Sequence, residues 1–304
     1  MNISNMKKIS IPKMVEYYKA PAKLVRSNFC SFLIVNADDY GMTEAISNGI
    51  LRSIHKGIVS SVSMVVNTPF FEIAVREIKD LDVDVGVHLS LNGGKSLTIN
   101  SKTPFTDDNG DFFLWPFNKN PIPFFRLNKK SQNLLKSEFR AQIDKFLEAG
   151  LEISHLDSHF HIHVLPSITP VIKDIIEEYN IKYIRFPFIE SIWSTINKPT
   201  YFILSILAKR AAILLCRRPI RFYGLSETGT YCNSNKNIYF DLVNNIKPGV
   251  GELMLHPGYH SDENKKYYPL PLEHIENELK FALSEETKKM MEKNRIQIIR
   301  RRDI

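Results

Sequence analysis

Two adjacent carboxylates close an apolar run. Phe32-Leu33-Ile34-Val35 reads as a buried strand and leads straight into Asn36-Ala37-Asp38-Asp39-Tyr40-Gly41. Burial beside a like charge raises the pKa of at least one such acid. The pair is sustainable where a cation neutralises it or where one member works as a base. Solvated surface loops also carry Asp-Asp pairs, but the flanking core strand argues against that plainer reading. Three more apolar runs end in reactive side chains. They are Val85-Gly86-Val87-His88-Leu89, the nine residues His155-Leu156-Asp157-Ser158-His159-Phe160-His161-Ile162-His163, and Leu253-Met254-Leu255-His256-Pro257-Gly258. A divalent ion held by one carboxylate and two imidazoles keeps positions open for water and substrate. Asp39, His88 and one histidine of the 155–163 group supply that set. The water on such an ion becomes a nucleophile near neutral pH. Asp38 is then free to act as general base, and His256, from a different strand end, as general acid on a leaving amine. Amide hydrolysis needs that pairing.

The histidine group demands a choice. In an extended chain Asp157, His159, His161 and His163 share one face, and four ligands in one row are too many. His159 follows Asp157, the expected last residue of its strand, and is the best-placed ligand. Asp157 suits the orientation of an imidazole from behind. His161 and His163 run on toward Pro166 and either touch substrate or simply pack.

These residues must be delivered by strands. Strand-like runs fall at 32–36, 59–66, 83–89, 153–157, 182–186, 221–225, 251–256 and 296–299. Helical patterns fall between most of them: Glu44 to His55, capped by Thr43 and closed by Gly57, then about 69–79, 134–149, 167–179, 200–216, 236–246 and 271–293. This alternation predicts a TIM-like (β/α) barrel of seven or eight parallel strands, complete or incomplete, with active groups at the strand carboxyl ends. A doubly wound open sheet is the alternative. It would more often carry a glycine-rich loop where Asp38-Asp39 stands. The domain reading is a basic extension over 1–30 followed by a single barrel over 31–304. Residues 92–133, rich in Gly, Pro and Asp, interrupt the rhythm and read as a loop insertion over the active face or as a plain surface insertion.

Composition excludes several classes. The 304 residues carry three cysteines, Cys30, Cys216 and Cys232, with no CxxC pair, so neither a disulfide framework nor a thiolate zinc site is indicated. The net charge of +7 is concentrated in two places. Six cations stand against Glu16 in residues 1–30, and Lys209, Arg210, Arg217, Arg218 and Arg221 stand without an acid in residues 199–221. The rest of the chain is slightly acidic, and no nucleic-acid-reading motif accompanies the basic segments. No secretory leader is evident, which predicts a cytoplasmic protein. The apolar stretch from Tyr201 to Cys216 is broken by Lys209-Arg210 and reads as a buried or interfacial helix, not a bilayer span.

The same motifs carry a family resemblance. Asn-Ala-Asp-Asp-x-Gly at 36–41, Gly-x-His at 86–88, the His-Leu-Asp-Ser-His-x-His-x-His run at 155–163 and His-Pro at 256–257 resemble the YdjC/ChbG-like carbohydrate deacetylases. Gly57-Ile58-Val59-Ser60-Ser61-Val62-Ser63, Val66-Asn67 and the terminal Arg302-Asp303-Ile304 agree with it. The resemblance spans about residues 31–304. It implies a degenerate TIM-like barrel and metal-dependent removal of acetyl from an N-acetylated sugar. By position it implies Asp39, His88 and His159 as metal ligands, Asp38 as base and His256 as acid. The ion implied is Mg²⁺, although two nitrogens and a carboxylate suit Zn²⁺ equally. Arg185, in Ile184-Arg185-Phe186-Pro187, either steadies Asp38, binds substrate, or is an ordinary salt-bridged arginine. The long apolar and basic segment at 188–222, with Phe222-Tyr223-Gly224-Leu225-Ser226-Glu227-Thr228-Gly229 at its end, resembles the hopanoid-biosynthesis-associated branch. It implies a lipid-linked sugar and peripheral contact with an anionic membrane. A metal-dependent phosphoesterase and a catalytically silent sugar-binding barrel are the competing readings.

Overall fold

The structure is a computed structural model, and it describes residues 29–114, 126–188, 199–225, 236–268 and 273–304. Its centre is a seven-stranded, all-parallel sheet. The strands are β1 (Ser31–Tyr40), β2 (Ser61–Met64), β3 (Asp84–Leu89), β4 (Leu156–Ser158), β5 (Arg221–Tyr223), β6 (Gly249–Leu255) and β7 (Ile296–Ile298). They lie in the order β4-β3-β2-β1-β6-β5, with β7 also on β1. β7 pairs with Ser31–Leu33, and β2 pairs further along with Asn36–Tyr40, while β6 runs along β1 from Ser31 to Ala37. The first strand is buried from end to end, as expected of a strand flanked on both edges and covered on both faces.

The sheet curls into a half-barrel with helices outside, as the alternation predicts. The helices are α1 (Glu44–Lys56), α2 (Phe71–Ile78), α3 (Lys129–Glu148), α4 (Thr169–Glu178), α5 (Pro199–Leu214), α6 (Lys236–Asn244), α7 (Glu273–Leu283) and α8 (Glu285–Lys293). None of the described helices is long and apolar enough to cross a membrane.

Several expectations change in detail. The run at 182–186 forms no strand. It touches β4 at the single bridge Leu156–Ile184, held by bonds from Leu156 N to Tyr183 O and from Arg185 N to Leu156 O. The helix expected over 271–293 is two helices, because the Ser284 hydroxyl accepts a hydrogen bond from Glu286 N and starts a new one. Helix α3 begins inside the expected 92–133 insertion, where Asn128 Oδ1 accepts from Ser131 N. The described part of that insertion is pinned from below by the buried Glu138 of α3, which accepts from the backbone of Leu97 and Thr98 and from the hydroxyls of Ser96 and Thr98. Of the expected basic extension, residues 1–28 lie outside the described residues, as do 189–198 of the apolar and basic segment.

A hydrophobic core built from Leu33, Val35, Val62, Val87, Leu156 and Leu253 joins the strands to the helices. It leaves the strand carboxyl ends as the place where polar groups collect.

Candidate active site

The end of β1 departs from regular strand geometry where the two acids stand. Pairing with β2 shifts register between Ala37 and Tyr40, and Asp39 adopts φ 70°. Left-handed backbone costs a non-glycine residue about 1–2 kcal/mol. Regular alternation would send Asp38 and Asp39 to opposite faces; the irregularity lets both enter one polar cluster. Gly41 completes the turn at φ 84°, where an added Cβ would lie 2.8 Å from Val65 O.

Asp39, His88 and His159 converge. Asp39 Oδ1 lies 2.8 Å from His159 Nδ1 and 3.3 Å from His88 Nε2. One ligand atom from each of the three falls within 4.8 Å of the others. On its far side His88 Nδ1 donates to Asp157 Oδ1 at 2.7 Å, which turns Nε2 toward Asp39 and fixes the ring. Asp39 Oδ2 and His159 Nε2 are buried without a hydrogen-bond partner. Burial pushes the Asp39 carboxyl up, but the two imidazoles overcome it and hold Asp39 well below the usual carboxylate range. His88 is opposed by its own burial, yet Asp157 and Asp39 raise it to about 10.

Asp38 occupies a different environment. Arg185 clamps it with both ends of its guanidinium, Nη1 to Oδ2 at 2.6 Å and Nη2 to Oδ1 at 2.8 Å. The same arginine reaches Asp157 Oδ2 at 2.6 Å and donates through Nε to Glu252 Oε1 at 2.8 Å. Arg301 lies 2.7 Å from Glu252 on the other side and donates to Asn36 and Ser61. Asn36 donates in turn to Asp38 Oδ1 and Ser63 Oγ, both at 2.8 Å. Ser63 donates to Asp157 and also contacts His155, whose other nitrogen meets Ser154. The His155 ring lies where Gly86 would carry a side chain, with ring atoms 2.3 Å from an ideal Cβ. The Gly-x-His motif thus sets a passage for one imidazole beside the residue that orients another.

The expected extended row of histidines does not form. β4 stops at Ser158, and residues 159–164 curl into 3₁₀ turns with Phe160 and His161 at φ 53° and 55°. Ser158 drives the reversal: its hydroxyl accepts from His163 N and bonds His163 Nδ1 at 2.6 Å. His159 is left at the cluster. His163 is turned away and spends its second nitrogen on Arg185 O at 2.8 Å. Burial holds His163 down at about 4, so it is a neutral brace for the Arg185 backbone. His161 packs near Phe222, and its buried Nδ1 has no hydrogen-bond partner.

His256 enters from β6. Leu255 pairs with Ala37, so His256 follows on the strand end beside Asp38. The buried Glu278 of α7 accepts from His256 N, and its Oε2 lies 3.6 Å from His256 Nδ1. Burial would lower His256, but Glu278, with Asp38 and Asp39 beyond it, raises it to about 9. His274 stands beside it, ring centroids 6.1 Å apart, and burial lowers it to about 4.

Sequence reasoning missed Glu252, Arg301, Asn36, Ser63 and Glu278. Glu252 had a visible signal, a lone acid within Val250-Gly251-Glu252-Leu253-Met254-Leu255. Glu278 had none, since only the packing of α7 brings it to β6.

The donor set suits a divalent cation. Asp38, Asp39, Asp157 and Glu252 are buried around only two buried guanidiniums, Arg185 and Arg301. Two negative charges remain; a protonated His88 offsets part of them, and a dication would displace that proton and cancel both. The unpartnered Oδ2 and Nε2 atoms of Asp39 and His159 belong to the same cluster. His256, His274 and Glu278 also approach one another within 4.8 Å. There, however, Glu278 is already engaged by the backbone N–H of His256.

An α/β half-barrel with a cation-ready Asp/His cluster at its strand carboxyl ends is the class that fold and site define. The chain belongs to the family described as YdjC-like protein, whose sequence profile matches residues 32–293. A carbohydrate deacetylase of Clostridium beijerinckii is 31% identical over 229 residues, covering 75% of this chain and 81% of that protein. A carbohydrate deacetylase of Vibrio cholerae serotype O1 is 33% identical over 150 residues, 49% of this chain. The chain thereby spans little more than half, 56%, of that relative. A solved structure from Enterococcus faecalis V583, provisionally named for cellobiose-phosphate cleavage, shares the fold. Its TM-score is 0.70 at 20% identity, over 90% of this chain and 98% of its own.

Proposed function

We propose that this protein is a metal-dependent carbohydrate N-deacetylase that hydrolyses the acetamide of an N-acetylated amino sugar, free or lipid-linked. The observation that carries the reading is the convergence of Asp39, His88 and His159, with Asp38 and His256 on neighbouring strand ends. The deacetylase relatives support the same chemistry. Asp39, His88 and His159 would hold a divalent cation, Mg²⁺ by family resemblance or Zn²⁺ by donor type. Such a cation, when bound, polarises a carbonyl and acidifies water.

The remaining steps fall to the chain's own side chains. Asp157 keeps His88 in one tautomer by accepting from Nδ1. Asp38, immobilised by Arg185, takes the proton of the attacking water. His256, kept protonated near neutral pH by Glu278, gives its proton to the sugar nitrogen as the C–N bond breaks. Acetate and a free amine are the products. Arg185 is a positioning residue here, since all three of its nitrogens are spent on carboxylates.

The test is acetate release from a panel of N-acetylglucosamine oligomers and acetylated glycolipids, before and after chelation, alongside phosphate release from an aryl phosphate. Acetate release abolished by the chelator and restored by Mg²⁺ or Zn²⁺ is the expected result. Phosphate release without acetate would replace the reading with a phosphoesterase.

A further inference from the structure

Helix α5 turns an apolar face outward. Its fully buried positions are small, Ser205, Ala208, Ala211 and Ala212, and Leu204 and Leu207 pack half-buried against the core. Five further bulky apolar side chains face solvent, with Phe202 41%, Ile203 54%, Ile206 51%, Ile213 53% and Leu214 43% exposed. Five of the nine large hydrophobic side chains exposed among the described residues therefore sit on this one helix, so the patch is concentrated and not scatter. At 3.6 residues per turn these five and the exposed Lys209 and Arg210 fall within an arc of about 140°. Arg217 and Arg218, also exposed, follow directly, and no acid occurs between residues 199 and 221.

We propose that α5 is a membrane-docking helix whose outward face lies on an anionic lipid surface. A helix of 16 residues is about 24 Å long, short of the roughly 30 Å hydrocarbon core, and two cations interrupt its middle. It lies in the plane of the interface, with the apolar stripe among the acyl chains and the Lys209 and Arg210 heads extended to lipid phosphates. Charge selects this occupant over a second copy of the chain: a two-fold contact through this face would set Lys209 and Arg210 against their own copies. The location suits a membrane-borne substrate. Lys209 lies 5.7 Å from the Phe188 ring, three residues after Arg185, and α5 packs against the 159–164 turns that follow His159.

The experiment is sedimentation of the full chain with vesicles of phosphatidylcholine alone or mixed with phosphatidylglycerol, at two salt concentrations. Binding to the anionic vesicles, weakened by salt, is expected. Both Ile203→Gln/Ile206→Gln/Ile213→Gln and Lys209→Gln/Arg210→Gln should weaken it about tenfold or more, with thermal unfolding unchanged. Acetate release from a water-soluble acetylated sugar should stay at the parent level, which separates this proposal from the assignment of the reaction. Failure of the parent chain to bind anionic vesicles overturns the proposal. So does a parent dimer, seen by light scattering, that the isoleucine variant converts to monomer while vesicle binding persists.

Discussion

Asp38 and Asp39 are neighbours in the chain with opposite fates. Asp38 has both oxygens saturated by Arg185 and a further bond from Asn36. Asp39 faces two imidazoles and keeps one oxygen unpartnered. A buried carboxylate that the protein neutralises itself is fixed in place. One that it leaves open awaits a cation from outside. The irregular end of β1 creates this difference, since it lets two successive side chains serve one cluster in two environments.

Exchanging Asp38 for asparagine keeps its shape and one of its two bonds from Arg185 but removes the base. The rate of acetate release should fall on the order of 10²–10⁴-fold while metal affinity changes little. If metal affinity collapses instead, Asp38 is a ligand and the contrast with Asp39 is lost. Arg185→Met attacks the other side of the comparison. It leaves Asp38, Asp157 and Glu252 without their shared cation, and removing one partner of a buried ion pair costs about 3–5 kcal/mol. Urea unfolding measures that loss, and a variant as stable as the parent would show the three acids to be less dependent on Arg185 than the geometry implies. Asp157→Asn acts more gently, because it disturbs the orientation of His88, one Arg185 contact and the bond from Ser63. Metal affinity should drop about 10–100-fold, read by calorimetric titration.

The smallest effect concerns pH. His256 is raised above its ordinary value, so its protonated form persists in the folded protein until pH rises through about 9. A general acid with that value loses activity on the alkaline side. Glu278→Gln removes the partner that raises His256 most, so the alkaline limb of the rate profile should move down, toward the ordinary histidine value near 6.5. The same sign governs stability. The favourable His256–Glu278 interaction is fully present below 6.5 and disappears as pH climbs past 9. An unmoved limb in the variant would mean that another group donates the proton.

Much of this site was legible in the chain because strands advertise themselves. Apolar runs ending in Asp or His name the strand carboxyl ends, and Asp39, His88 and His159 were found that way. The extended row of Asp157, His159, His161 and His163 does not form for a local reason: Ser158 folds the backbone back through two hydrogen bonds to His163, and a serine gives no such warning. The 182–186 run looks like a strand but offers one bridge, since its polar business is to carry Arg185 inward. Glu278 and Arg301 come from α7 and from the 3₁₀ turn Arg301–Asp303, so only tertiary packing reveals them. The outward apolar face of α5 is likewise legible only in part. The sequence shows an apolar stretch with two cations, but which side faces the core depends on what lies beneath it.

An anomalous difference map from a crystal soaked in Zn²⁺ shows whether Asp39, His88 and His159, and not the neighbouring Asp38, hold the cation. The strongest peak is expected about 2.0–2.2 Å from one atom each of Asp39, His88 and His159, lost in Asp39→Ala. A strongest peak among His256, His274 and Glu278, or one that survives in Asp39→Ala, would contradict it.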